Sequence, residues 1–69
     1  MKKFSVLIAG RHMTSITLEN EFYDTLKDIS KARKRSINNI VTEIDSLRGN
    51  RTLSGAIRVY ILNEVKKGL

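Results

Sequence analysis

The chain has 69 residues and no cysteine, so it forms at most one domain and has neither disulfides nor thiolate metal sites. Its 13 lysines and arginines against 7 acidic residues give a formal net charge of +6, a balance that favours a polyanionic partner, either nucleic acid or an anionic membrane surface. A chain this short rarely buries a sufficient core alone. With no disulfides and one histidine, a homodimer is the expected source of extra buried surface.

No stretch is long enough to span a bilayer. Lys2 and Lys3 followed by the apolar run Phe4–Ala9 look like the start of a signal peptide. The run stops at Arg11 without a small-residue cleavage site, so a cytoplasmic location is expected. Lys2 and Lys3 read as a solubilising terminus in preference to a mobile arm on DNA.

The spacing predicts a short strand over 3–9, with Phe4, Val6 and Ile8 on one side and Ser5, Leu7 and Ala9 on the other. Its partner is left open. Gly10 and Arg11 break it. A second strand, over 13–18, alternates more clearly: Thr14, Ile16 and Leu18 share one face, Met13, Ser15 and Thr17 the other.

Asn20 then reads as the N-cap of a helix over about 21–34, with Glu21 and Asp24 favourable to its dipole. Phe22, Leu26 and Ile29 form its apolar stripe. Lys31, Arg33, Lys34 and Arg35 lie at its negative end. Ser36 caps a second helix over 37–48, whose apolar face is Ile37, Ile40, Val41, Ile44 and Leu47, with Gly49 as its stop. Thr52 caps a third over 53–67, lined by Leu53, Ala56, Ile57, Tyr60, Ile61 and Val65 and ended by Gly68. The outline is β, β, α, α, α, a single domain over 1–69 that is mainly α with a short β-ribbon.

Few residues suggest catalysis. His12 stands alone, with no triad to serve. Glu43 and Asp45 are two apart on a helix and point to different sides. Neither a metal nor another cofactor is expected, and the chain does not read as an enzyme. Phe22 and Tyr60 fall on apolar faces and read as core, whereas Tyr23 lies beside its stripe and is open. The 31–35 cluster has two readings, phosphate contacts or a solvated helix end.

A two-stranded ribbon fits the DNA major groove. It can read bases only if its outward side chains are short or polar and its inward ones are buried. The 13–18 segment meets that condition, although an ordinary half-exposed strand would look the same.

The strand followed by two helices, with Arg35-Ser36-Ile37-Asn38 between the helices, resembles the ribbon-helix-helix pattern of the Arc and MetJ type. A closer likeness is to a bacterial subfamily of these domains. It is carried by Ser5-Val6-x-Ile8-x-Gly10, by His12-x-Thr14-Ser15-Ile16-x-Leu18-Glu19-x-Glu21-Phe22-Tyr23, by Glu43-Ile44-Asp45 and by Leu53-Ser54-x-Ala56-Ile57-Arg58-Val59-Tyr60-x-Leu62. Arg11 stands between Gly10 and His12, where the subfamily has none.

The resemblance implies a homodimer in which two chains pair their strands into a ribbon and interlock their helices beneath it. The N-terminal strand and the third helix are additions to that unit. It further implies that Met13, Ser15 and Thr17 face base edges in double-stranded DNA. The helix start at Ser36, Ile37 and Asn38 would hold a phosphate. Arg11 and His12 at the strand's edge, and Lys34 and Arg35 of the basic cluster, are further candidates for the backbone. The outward face has no Arg, Lys, Asn or Gln, so base discrimination should be modest.

The function expected is therefore a DNA-binding transcriptional regulator, repressor-like. The other reading is a protein-interaction module, antitoxin-like, docking a partner through the third helix or the N-terminal strand. The third helix either completes the dimer core or presents that surface.

Overall fold

The computed structural model describes residues 1–68. Strand β1 runs Lys2–Ile8 and β2 His12–Leu18; helices α1 (Asn20–Arg33), α2 (Ile37–Leu47) and α3 (Leu53–Lys66) follow. The partner of the first strand is the second strand of the same chain. β1 and β2 form an antiparallel hairpin from Lys2↔Leu18 to Ile8↔His12. Lys2 and Lys3 therefore belong to a strand and not to an arm.

At the turn, Ala9 and Gly10 have φ of 53° and 67°. The Arg11 N–H donates to the Ile8 carbonyl at 2.9 Å. Glycine takes this left-handed backbone freely, whereas at Ala9 it costs about 1 kcal/mol.

Period-two alternation puts Phe4, Val6 and Ile8 on one face of the hairpin with Thr14, Ile16 and Leu18. Val6, Ile16 and Leu18 are buried against the helices. Leu26 and Ile29 of α1, Ile40, Val41 and Ile44 of α2, and Ala56, Ile57 and Ile61 of α3 complete the core. Each large side chain buried there contributes about 1.5–3 kcal/mol. The accessible surface is 4642 Å², close to the ~4,400 Å² expected of a monomer of this mass. One chain's helices thus cover its own hairpin, and no interlocking with a second chain is needed to bury these positions. The third helix is part of that core.

Several local expectations are corrected. Glu19, not Asn20, is the N-cap of α1, and no side chain caps it there. α1 ends at Arg33, so Lys34 and Arg35 lie outside it. Lys34 turns the chain with φ of 54°. The Arg35 N–H donates to the Ser30 carbonyl at 3.1 Å, and the Ser30 hydroxyl donates to the Arg35 carbonyl. The first of these bonds closes one of the exposed carbonyls of the helix end, and the second pins the chain that leaves it.

Leu47, the last residue of α2, is 78% exposed and lies outside the core. On α3 the buried line runs Ile57, Ile61, Glu64, while Val65 is 50% exposed. One residue is about 100° of helix rotation, and the ion pairs of Glu64 with Arg33 and Lys67 suit it to the inner position. Tyr23 is half-buried, its ring 4.8 Å from that of Phe4.

Candidate nucleic-acid interface

The hairpin face turned away from the helices carries Met13, Ser15 and Thr17 from β2, and all are exposed. Register sets Leu7, Ser5 and Lys3 of β1 directly opposite them. These residues are exposed as well. The sequence alone could not place the β1 residues on this face, because the partner of the first strand is not written in its pattern. The face so formed has no carboxylate. It runs from apolar Leu7 and Met13 near the turn, through Ser5 and Ser15, to Lys3 and Thr17.

The two edges of the hairpin differ. On the β1 side the Leu7 N–H donates to Asn38 Oδ1 at 3.2 Å and, just past the strand, the Ala9 N–H to Thr42 Oγ1 at 3.0 Å. Both acceptors belong to α2, which covers the turn end of that edge. Odd-numbered residues of β1 therefore direct their backbone groups outward, and the register requires the same of Met13, Ser15 and Thr17 on β2. The β2 edge has no strand partner among the described residues. Only the Thr17 carbonyl is engaged, by the Ser54 hydroxyl at 3.4 Å. This open edge carries no proline or lysine, the usual protections of an unpaired strand.

The second feature is the start of α2. Ser36 is the N-cap, and its hydroxyl accepts from the Asn39 N–H at 3.0 Å. The Ile37 and Asn38 N–H groups meet no acceptor among the described residues, which leaves the positive end of the helix open to an anion. Ser36, Asn38, Asn39 and Thr42 line a shallow cleft with Leu7, Ala9 and Gly10. The helix start and the turn end of the hairpin are thus neighbours.

The remaining candidates divide. Arg11 lies in the turn, exposed. His12 is also exposed but stands on the Ile16 side of β2, away from the outer face. Lys34 is exposed at the end of α1. Arg35 is drawn into α2's own surface, 2.9 Å from Glu43 and 2.7 Å from Asn39 Oδ1. Asp45 pairs separately with Arg48 at 2.8 Å.

Other ion pairs fasten the scaffold behind this face. Arg58 of α3 donates to both carboxylate oxygens of Glu19, at 2.9 and 3.3 Å, and holds that carboxyl below its usual value. Burial pushes the Glu64 carboxyl up, but hydrogen bonds from Lys67 and Arg33 outweigh it and leave the group below its usual value. Burial raises the Tyr60 phenol. No helix is long and apolar enough to cross a membrane.

Among known proteins, a family model described as a ribbon-helix-helix domain matches residues 1–65. No curated protein and no solved structure matches the chain.

Proposed function

Because the chain belongs to the ribbon-helix-helix domain family, we propose that it is a homodimeric transcriptional regulator, repressor-like and cytoplasmic, that places β2 in the major groove of duplex DNA. The fold is that of DNA-binding regulators, and β-ribbon readers insert strands into the groove. The observation that carries the reading is the outer face of β2, where Met13, Ser15 and Thr17 stand exposed over buried Ile16 and Leu18. Ser and Thr hydroxyls bond several bases, and the Met13 and Thr17 methyl groups suit a thymine methyl.

The open edge of β2 supports the dimer. A second copy related by a two-fold axis satisfies the outward N–H and C=O groups there. The antiparallel register that pairs all seven residues of β2 puts Ser15 on that axis. It makes a sheet in the order β1-β2-β2-β1, with the β2 strands central. A central pair about 4.8 Å apart, with its short side chains, fits a groove about 12 Å wide. The free N–H groups of Ile37 and Asn38, with Ser36 as cap, then serve as phosphate contacts. Arg11 and Lys34 add positive charge at the rim, His12 a further donor, and Arg35 a reserve of charge held by Glu43.

Alanine at both Ser15 and Thr17 should abolish discrimination between a selected duplex and a scrambled one, with binding to the scrambled duplex unchanged. Equal loss on both duplexes would contradict base reading by this strand.

A second reading draws on α3. Phe22, Thr25, Ile61, Leu62 and Val65 line an apolar groove between α1 and α3. Leu62 and Val65 are 54% and 50% exposed. A protein partner docked there would be lost on Leu62→Glu, with DNA binding retained.

A further inference from the structure

We propose that β1 is the backbone-clamping flank of this interface and that Lys3 is its phosphate-binding residue. The inference rests on the DNA-binding reading above and extends it to a strand which that reading leaves without a role.

The first observation is the segregation of the two N-terminal lysines. Alternation along β1 sends Lys3 to the outer face, opposite Thr17. It sends Lys2 to the inner side, where its ammonium lies 5.4 Å from the centre of the Tyr23 ring. Lys3 alone brings positive charge to a face that otherwise carries Ser5, Leu7, Met13, Ser15 and Thr17. That charge is not neutralised nearby: Lys3 has no carboxylate partner among the described residues. Glu19, which follows β2, is bound by Arg58.

The second observation is positional. With the β2 strands about the two-fold axis, neighbouring strands about 4.8 Å apart put each β1 roughly 7 Å from that axis. The groove's half-width is about 6 Å. β1 therefore lies over the groove wall, where phosphates are, and β2 over the base edges. Lysine is a suitable residue there, because it binds phosphate as a point charge without needing base-edge geometry.

The third observation is that β1 is held in place. Its turn end is tied to Asn38 and Thr42 of α2, and its whole length, Lys3 included, is paired with β2, so Lys3 stands on a strand of the sheet and not on a floating arm. Leu7 and Ala9, at the turn end, adjoin the open N–H groups of α2. Lys3 stands at the other end. The two anion-binding features thus grip the backbone at separate points along one strand.

The test is the salt dependence of duplex binding, measured by fluorescence anisotropy with a labelled random-sequence duplex and with a selected one. Each phosphate contact adds about 0.9 to the slope of log K against log salt. Lys3→Gln removes one contact per chain, so the dimer's slope should fall by roughly 1.8. Affinity should fall by the same factor on both duplexes. Lys3→Arg should keep the slope, and Lys2→Gln should leave it unchanged. A Lys3→Gln protein with unaltered slope, or a slope equally reduced by Lys2→Gln, would overturn the inference while leaving DNA binding intact. No duplex binding by the unaltered chain would overturn the DNA reading itself and the inference with it.

Discussion

The Glu64 carboxylate of α3 lies 2.8 Å from the Arg33 guanidinium at the end of α1. Glu64 is 5% exposed, and Lys67 reaches its other oxygen at 3.2 Å. This three-residue cluster joins the last turns of two helices that pack the hairpin from below. Because Arg33 and Lys67 remain solvated, removing the carboxylate costs less than breaking a fully buried pair. Glu64→Ala should destabilise the fold by about 1–2 kcal/mol, read from urea denaturation at pH 7.

The same carboxyl sets an acid limit. Its folded value lies below the ordinary 4.5, so its contribution is fully present above that pH. It is lost as pH falls through the lower folded value. Glu19, depressed by its hydrogen bonds from Arg58, acts in the same direction. Stability should decline as pH falls from about 4.5 towards the lower folded values. Glu64→Gln should flatten that decline. A variant with the same acid profile as the parent would contradict this account.

The hairpin turn leaves stability unused. Ala9 holds φ of 53° before Gly10. Asn-Gly suits consecutive positive-φ positions better than Ala-Gly does. Ala9→Asn should raise stability by about 0.5–1 kcal/mol, seen as a higher denaturation midpoint with unchanged slope.

Asn38 and Thr42 tie β1 to α2, and hydrogen exchange can read that directly. Asn38→Ala should speed exchange at the Leu7 amide, and Thr42→Val at the Ala9 amide, each with a stability loss of about 1 kcal/mol. Protection unchanged in both variants would mean that the strand edge is closed by something other than these side chains.

Much of this architecture is legible in the sequence. Alternation at Thr14, Ile16 and Leu18 is a local signal, and so are the caps at Ser36 and Thr52, whose hydroxyls accept from Asn39 and Gly55. Less legible is anything set by a distant neighbour. Leu47 and Val65 have the right period, but period marks a face and not where packing stops. Glu64 carries a charge that composition assigns to the surface, yet Arg33, 31 positions away in sequence, makes it an inner residue. Lys3 belongs to the outer face only because β1 pairs with β2 in this register. A side chain's direction in a strand is local; the sheet it belongs to is not.

Core packing and surface exposure also separate cleanly by mutation. Leu26→Ala should cost about 2–5 kcal/mol, because that side chain is fully buried. Leu47→Ala should stay within about 0.5 kcal/mol of the parent.

In vitro selection from random duplex DNA by the intact chain at near-physiological salt tests base reading by β2 most directly. Enrichment of a two-fold related pair of short half-sites is expected of β2 strands paired about Ser15. Retention of DNA without enrichment would leave only charge attraction and would contradict base reading by the hairpin.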